Sequence, residues 1–406
     1  MTSTALLQGP IADEARDALL AIVTPLRDAP PASMGDTTLL GALGPCLLLA
    51  ATHEAFPGAG HARRADALLA WCVERASERE MNAALHDGVA GLAWVVEVLG
   101  DGAEDPNEAV DEALLDALSE GPWAGDFDLM QGLAGTAIYA LERAHRRSGV
   151  AMLERIVDRL AELSTPGPAG RLWLTTSAQV PFYRANERFP QIDCGVLHGQ
   201  PGVLYVLAGA AAWGVERAGA LLDEGMRALL ALGERGGEGC FPARFAVEAG
   251  PRPTDRNAWC YGDLGVAATL LQVARAAGNE AWERFARELA TRAAQRSPPH
   301  DTVRDAPLCH GAMGIAHLHH ALHRMTGEEV FRERARAWFA HGLSMRGAPG
   351  AFGPFPTWRT QPPPDRWEND PGFLEGQSGI GLALADALGL TTLPWDRPFA
   401  LSLRTP

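Results

Sequence analysis

The sequence predicts an all-α protein, an α/α toroid in which seven helical-hairpin repeats form an inner and an outer helical barrel. One observation is a Gly-x-x-Gly step, followed each time by an apolar run rich in Ala and Leu, that recurs at intervals of 44 to 67 residues. The other is an amphipathic segment in the intervals between the steps. The first glycines of the steps are Gly41, Gly88, Gly132, Gly199, Gly262, Gly311 and Gly376.

The amphipathic segments predict the outer helices. Their apolar residues fall three and four positions apart, with Arg and Glu on the opposite face, which is the pattern of a surface helix. These segments are residues 11–28, 60–80, 107–120, 148–164, 217–234, 279–296 and 327–345.

The runs after the steps predict the inner helices. They are apolar on nearly all sides, as in Val203 to Trp213 and Val266 to Ala277, and are therefore expected to be buried. Glycines at their starts allow neighbouring backbones to approach closely. Closing seven such hairpins into a ring buries the inner helices. An open α-solenoid has the same local pattern and is the alternative fold.

Two long segments interrupt the repeat. Residues 165–197 contain a strand-like piece, Leu172 to Thr175, and residues 346–372 contain seven prolines. Long loops in compact domains are usually functional, and both lead into a Gly-x-x-Gly step. We therefore expect a single domain over residues 1–406, with these insertions as walls around the end of the ring where the steps lie.

The composition excludes several classes of function. Hydrophobic residues make up 47% of the chain and charged residues 21%, as in soluble globular proteins. The net charge of −15 argues against a nucleic-acid surface and an anionic membrane partner. Because we find no signal sequence and no apolar run of spanning length, we expect a cytoplasmic protein without membrane insertion. Six cysteines are too few for a disulfide scaffold, so metal binding or catalysis is the expected use of those outside the core.

The repeat places candidate metal ligands in one register. Cys260 and Cys309 each lie two residues before a first glycine, and His310 and His198 each lie one residue before. Equivalent positions of a ring point to the same end, so Cys260, Cys309 and His310 are predicted to converge. Three protein ligands with a fourth position open are typical of catalytic zinc, and two thiolates favour zinc over magnesium or calcium.

The sequence resembles a known family at these positions, the lanthionine synthetase C-like proteins, which include the lanthipeptide cyclases. The resemblance covers essentially the whole chain. It lies in Trp259-Cys260-Tyr261-Gly262, in Cys309-His310-Gly311, in His198-Gly199 with Gly202, and in the seven-fold Gly-x-x-Gly repeat.

The resemblance implies an α/α toroid with one zinc ion, bound by Cys260, Cys309 and His310. It implies a stand-alone cyclase with a dehydrated precursor peptide as substrate and a lanthipeptide dehydratase as an optional partner. The residues that it implies around the active site are His198, Asp128, Arg256 and Tyr261.

The expected reaction is addition of a peptide cysteine sulfur to the β-carbon of dehydroalanine or dehydrobutyrine, which forms a lanthionine or methyllanthionine thioether. The thiolate is the nucleophile, and zinc would deprotonate it at neutral pH. His198 is the candidate general acid for the α-carbon, Asp128 would orient its imidazolium, and Arg256 would stabilise the oxyanion.

Three other functions are compatible with parts of the pattern. The same family suggests glutathione addition to dehydroamino acids in proteins, and a zinc-containing peptide-binding module without catalysis is a second alternative. A carbohydrate-processing toroid would need paired carboxylates, nominally Asp128 and Glu375, but would leave the thiolates without a purpose.

Several of these residues also have structural interpretations. Asp128 could serve as a helix N-cap, and Arg256 could pair with an acidic residue. His319 and His323 have i, i+4 spacing without a His-Glu-x-x-His motif, so the four histidines of residues 317–323 favour a helix C-terminus over a second metal site. The remaining thiols are expected in the core or in loops, at Cys46, Cys72, Cys194 and Cys240.

Overall fold

The chain alternates outer and inner helices, as the repeat predicts. The computed structural model describes residues 5–102, 104–176, 189–235, 241–248, 250–252, 254, 256–360 and 363–406. The described residues contain fourteen α-helices. The outer helices are α1 (Pro10–Asp28), α3 (His61–Ala76), α5 (Glu108–Ser119), α7 (Arg147–Leu163), α9 (Glu216–Arg235), α11 (Glu280–Ala293) and α13 (Glu329–Ser344). The inner helices are α2 (Leu43–Thr52), α4 (Val89–Leu99), α6 (Leu133–Glu142), α8 (Gln200–Ala212), α10 (Asp263–Ala276), α12 (Ala312–Thr326) and α14 (Gln377–Ala387).

Burial follows the two sequence patterns. Along α7, for example, the buried residues recur at three- and four-residue spacing from Met152 to Leu160, because only one face of an outer helix packs inward. The inner helices α6 and α8 are buried nearly throughout. None of the described helices combines the length with the apolar character that crossing a bilayer requires.

The glycine steps begin the inner helices because the preceding loop folds back against them. The first glycine is the N-cap of α4, α6, α8, α10, α12 and α14. At Gly262 the backbone has φ of 116°, and a Cβ atom would collide with the carbonyl group of Arg256. The step is therefore a backbone requirement for turning the loop into the helix.

The chain forms two compact units, each made of segments that are distant in sequence. The first unit comprises Met1–Asn82 and Ala294–Trp395, and the second comprises Ala83–Ala293 and Asp396–Pro406. Helices α1 to α3 and α12 to α14 therefore belong to the first unit, and helices α4 to α11 belong to the second.

Successive repeats are neighbours within the second unit. The backbone N–H of Leu129 in repeat three donates to the carbonyl of Leu197 in repeat four, at 3.0 Å. A Cβ atom at Gly195 would collide with the carbonyl of Cys260, so the loops before α8 and α10 are also in close contact.

The same order holds in the first unit. The N–H of Cys309 in repeat six donates to the carbonyl of Leu374 in repeat seven, and the N–H of Phe373 donates to Leu39 in repeat one, both at 3.1 Å. In both units, backbone contacts bring neighbouring loops together at the starts of the inner helices.

Among the described residues, three small antiparallel sheets lie in the connections between helices. The strand-like piece at residues 172–175 is largely confirmed, because a strand covers Arg171–Trp173 and Thr175 bridges Gln191. Residues 177–188 of the first insertion, residues 361 and 362 of the second, and Cys240 lie outside the described residues. The strands are β1 (Ser164–Pro166) with β2 (Arg171–Trp173), β3 (Gln191–Asp193) with β4 (Arg244–Ala246) and β5 (Gly250–Arg252), and β6 (Thr357–Arg359) with β7 (Arg366–Glu368).

Buried ion pairs tie the second unit together away from the glycine steps. Arg143 is fully buried and donates to Asp111 at 2.6 Å, to Asp105 at 2.8 Å and to Glu97 at 2.9 Å. Three carboxylates around one guanidinium compensate the cost of burying its charge.

The end of the chain returns to the same unit. Buried Glu142, at the end of α6, pairs with both Arg397 and Arg404. The indole N–H of Trp259 donates to the carbonyl of Phe399 at 2.7 Å.

Candidate functional site

His198 and Asp128 form a hydrogen-bonded pair in the second unit. The Nδ1 atom of His198 lies 2.6 Å from Oδ2 of Asp128, a short distance that is typical of a charge-assisted bond. The His198 side chain is 34% exposed, whereas that of Asp128 is 12% exposed. The carboxylate can therefore hold one ring nitrogen while the imidazole remains accessible.

The loop before α6 fixes Asp128 in this position. Its Oδ1 atom accepts the N–H of Gln131 at 2.8 Å, which closes the turn ahead of Gly132. The adjacent Leu129 is bonded through its backbone to Leu197, next to His198. Asp128 thus closes a turn with one oxygen and holds His198 with the other, whereas the N-cap of α6 is Gly132.

His86 lies behind this pair and is a further residue of the region. It occupies the same position, two residues before a first glycine, as Cys260 and Cys309. It is fully buried, and neither ring nitrogen has a hydrogen-bond partner among the described residues. Burial lowers its pKa to about 4, partly offset by the charge of Asp128. A buried, neutral imidazole therefore lies near the His198–Asp128 pair.

Tyr261 is held by two partners from a small sheet. Its hydroxyl donates to Asp193 at 2.8 Å and accepts from Arg244, also at 2.8 Å. Asp193 and Arg244 face each other across β3 and β4 and are joined by a 3.1 Å ion pair.

These contacts keep the Tyr261 phenol protonated. Burial raises its pKa well above the ordinary value of 10, and the nearby Asp193 carboxylate adds to this effect. The two bonds fix the Tyr261 side chain, and its hydroxyl stays neutral. The sequence pattern does not single out Asp193 and Arg244, because their pairing depends on strands of only three residues.

Cys260 and Arg256 lie on the loop that leads into α10 in the same unit. Cys260 is buried, next to buried Trp259, and its carbonyl is packed against Gly195. Arg256 is exposed, and its backbone N–H donates to the Thr254 hydroxyl at 3.2 Å. Arg256 thus carries an exposed guanidinium four residues before Cys260.

Cys309 and His310 lie in the equivalent loop of the first unit, before α12. Cys309 is buried and is fixed by its backbone bond to Leu374. His310 is partly exposed, and its Nδ1 atom lies 3.8 Å from a carboxylate oxygen of Glu375. Glu375 also pairs with Arg359, which additionally binds Asp370.

These contacts bring two of the predicted site residues together in the second unit, His198 and Asp128. Tyr261 is placed beside Asp193 and Arg244 instead, and Arg256 is placed on the surface of its loop. The predicted metal ligands are divided, with Cys260 in the second unit and Cys309 and His310 in the first.

The other described cysteines are buried thiols away from the loop register. Burial raises the pKa of Cys72 to about 12 and also raises that of Cys46 and Cys194. Since a thiol with a raised pKa is a poor nucleophile, these residues fit the predicted role in the core.

A comparison with solved structures agrees with the helical fold. Nisin cyclase is one of 15 solved chains with significant structural similarity, and the superposition gives a TM-score of 0.71. It covers 97% of this chain and 98% of that one at 19% sequence identity. This likeness confirms the predicted fold class, an all-α helical toroid. No curated protein gives a significant sequence match.

A family match identifies the chain more closely. The lanthionine synthetase C-like protein family matches residues 32–399, which contain all seven Gly-x-x-Gly steps and every candidate site residue described above. The chain therefore belongs to the lanthionine synthetase C-like protein family.

Proposed function

We propose that the protein is a zinc-dependent lanthipeptide cyclase that adds peptide cysteine thiols to dehydroalanine and dehydrobutyrine in a dehydrated precursor peptide. The observation that carries the proposal is the 2.6 Å bond between His198 and Asp128, beside the loop register that contains Cys260. Family membership and the similarity in fold to nisin cyclase support it. The proposed location is the cytoplasm, with a lanthipeptide dehydratase as an optional partner.

Cys260, Cys309 and His310 are the proposed ligands of one zinc ion. Two thiols and one imidazole are a donor chemistry that fits catalytic zinc. Both thiols are buried, so ionised sulfur would need a compensating cation. Zinc bound by these residues would deprotonate a peptide thiol at neutral pH while leaving a nucleophilic sulfur.

His198 is the proposed proton donor. Addition of sulfur to the β-carbon leaves an enolate, and a proton must be delivered to the α-carbon to complete the thioether. Since Nδ1 is bonded to Asp128, Nε2 of His198 is the proposed atom that carries that proton. The ionised Asp128 carboxylate would stabilise the imidazolium before transfer.

Arg256 and Tyr261 have different proposed roles. Arg256, as an exposed cation, would stabilise the negative oxygen of the enolate. Tyr261, held between Asp193 and Arg244, would shape the wall and keep its hydroxyl un-ionised. Tyr261 is thus proposed to position the substrate and not to transfer a proton.

The carboxylates that a glycoside hydrolase would require are engaged in other contacts. Asp128 binds His198, and Glu375 pairs with Arg359. A carboxylate pair for glycoside hydrolysis is therefore disfavoured.

Zinc analysis and a cyclisation assay test the proposal together. Cys309→Ala should lose one equivalent of zinc relative to wild type and should lose ring formation on a dehydrated precursor peptide, followed by mass spectrometry after thiol alkylation. Cys72→Ala, which removes a buried thiol outside the register, should retain both. Full zinc content or unimpaired ring formation in Cys309→Ala would contradict the proposal.

A second assay separates peptide cyclisation from glutathione addition. The dehydrated peptide is offered with and without glutathione, using wild type and His198→Asn. Ring formation without glutathione, lost in His198→Asn at unchanged zinc content, is expected. Products that appear only with glutathione would show the alternative activity, and unchanged biological output of His198→Asn would favour a non-catalytic binding module.

A further inference from the structure

A second group of candidate metal ligands lies within the first unit, between the inner helices α12 and α14. His317 and His320 are three residues apart and therefore share a face of α12. That face meets Asp386, the penultimate residue of α14. All three are buried, and their candidate ligand atoms lie within 4.8 Å of one another.

The distances within this group resemble the edges of a metal coordination shell. The Nδ1 atom of His317 lies 3.5 Å from Oδ2 of Asp386, and the Nδ1 atom of His320 lies 3.1 Å from the same oxygen. Ligands about 2.1 Å from a tetrahedral ion are separated by roughly 3.4 Å. Both imidazoles thus stand at the separation that two ligands of one small ion require.

The carboxylate already has a cationic partner. Arg324 donates to both oxygens of Asp386, at 2.7 and 2.6 Å, and its side chain is 34% exposed. A simple ion pair would be complete with these two residues, yet two further imidazoles converge on the same oxygen. Because Arg324 reaches in from the surface, it can move out to solvent and release the carboxylate for another cation.

The protonation states suit metal ligation. Burial lowers the pKa of His320, so its imidazole is neutral. Although burial alone would raise the pKa of Asp386, the bond from His320 and the charge of Arg324 hold it below its ordinary value. The group therefore offers an ionised carboxylate beside a neutral imidazole.

The orientation of His317 is fixed by an aromatic neighbour. The ring of Trp395 packs on that of His317, with centroids 4.5 Å apart. Ring packing of this kind restricts the rotation of the imidazole. His319, on the same helix, packs against Phe331 instead and is not part of the ligand group.

We propose that His317, His320 and Asp386 form a second metal site for a divalent first-row transition ion, with Arg324 supplying the compensating charge when no ion is bound. Two nitrogens and one oxygen favour such an ion over magnesium or calcium. The site lies roughly 12 Å along α12 from its start after Gly311, at a rise of about 1.5 Å per residue. An ion bound there joins the two inner helices, which assigns the site a stabilising role separate from the proposed chemistry.

Cobalt binding to the intact protein tests the proposal. Wild type should bind two equivalents of Co²⁺, and only one of them should show the thiolate charge-transfer band expected for the set that contains Cys260 and Cys309. In Cys309→Ala, one equivalent should remain and give imidazole-type spectra without that band. Cobalt binding is measured independently of cyclisation. The second site can therefore be absent while the proposed function holds, and the second site can be present while the proposed function is wrong.

Three variants on α12 in the Cys309→Ala background sharpen the test. His320→Ala should abolish the remaining equivalent, whereas the matched control His319→Leu should keep it. With Arg324→Gln added, Cys309→Ala should bind Zn²⁺ at least roughly tenfold more tightly than Cys309→Ala alone, because a competing positive charge has been removed. Zn²⁺ should raise the thermal unfolding temperature of Cys309→Ala but not that of Cys309→Ala combined with His320→Ala.

Other results would overturn the proposal. They are binding of only one equivalent of Co²⁺ by wild type and of none by Cys309→Ala, retention of the remaining equivalent when His320→Ala is added, or unchanged or weaker zinc binding when Arg324→Gln is added. Each would show that the cluster is an ion-pair network without a metal. If Cys309→Ala fails to fold, wild type and Arg324→Gln decide the question through the cobalt band without thiolate character.

Discussion

Replacing His319 by Leu should make the protein less sensitive to acid. His319 is fully buried on α12, and neither ring nitrogen has a hydrogen-bond partner among the described residues. Burial lowers its pKa to about 3. The folded protein therefore keeps this imidazole neutral, whereas the unfolded chain protonates it below its ordinary pKa of about 6.5.

The size of the effect follows from these two pKa values. Because the folded-state pKa is the lower one, the stability that the neutral form provides is present above pH 6.5 and is lost as the pH falls toward 3. Between pH 7.5 and pH 5 the unfolded state gains about 2 kcal/mol from protonating this one residue. His319→Leu should remove that part of the acid destabilisation. At pH 7.5 the variant should be as stable as wild type or more so, since a buried polar ring without partners is replaced by an apolar side chain.

Urea unfolding at pH 7.5, 6 and 5 measures the difference. The free energy of unfolding of His319→Leu should decline by about 2 kcal/mol less than that of wild type over this range. Release of zinc in acid affects both proteins and cancels in the difference. Replacement of the exposed His53 by Leu serves as the control and should leave the decline unchanged. Parallel declines for wild type and His319→Leu would refute the reasoning.

Three further predictions concern the second unit. Asp128→Asn removes the charge 2.6 Å from His198; a bond to a charged group contributes roughly 1.5–3 kcal/mol, so the cyclisation rate should fall about 10- to 150-fold at unchanged zinc content. Asp111→Ala takes the closest carboxylate from buried Arg143, and urea unfolding should show a loss of about 3–5 kcal/mol. Tyr261→Phe removes a hydroxyl with two partners and should cost about 1–2 kcal/mol. Burial raises the pKa of this phenol, so the stability that the protonated hydroxyl provides in wild type should be lost as the pH rises above about 10. Tyr261→Phe should not show this alkaline loss of stability.

An exposed ion pair provides the common control. Asp158 and Arg217 pair on the outer helices with both side chains largely in solvent. Asp158→Asn should change neither the activation free energy of cyclisation nor the free energy of unfolding by more than about 1 kcal/mol. Equal effects of Asp128→Asn and this control on the cyclisation rate, or of Asp111→Ala and this control on unfolding, would contradict those predictions. For Tyr261→Phe, an alkaline loss of stability as steep as in wild type would do so.

The fold could be predicted from the sequence because two physical requirements repeat along it. Outer helices need one apolar face, and the loops that start the inner helices need glycine where the backbone folds back, as at Gly262. The predicted segments therefore match the helices closely, as with residues 60–80 and the helix His61–Ala76. Helix ends such as Ala76 depend on local capping, and the predicted segment extends beyond the helix for this reason.

The site was only partly predictable, because some contacts are not repeated in register. The register of the repeat places His198 next to a first glycine, and the family resemblance adds Asp128. Only the three-dimensional structure shows that one Asp128 oxygen closes a turn while the other binds His198. Asp193 and Arg244 meet across strands of three residues, too short to give a sequence pattern. The neutrality of His86 arises from burial, which its neighbours in sequence do not reveal.

Neither compact unit is complete until nearly the whole chain has been synthesised. The first unit needs residues up to Trp395, and the second needs Asp396 to Pro406 although most of it ends at Ala293. Until Arg397 and Arg404 leave the ribosome, the buried carboxylate of Glu142 lacks both of its cationic partners. The nascent protein must therefore carry inner helices without their final packing through most of translation. Its solubility during that period depends on the polar faces of the outer helices.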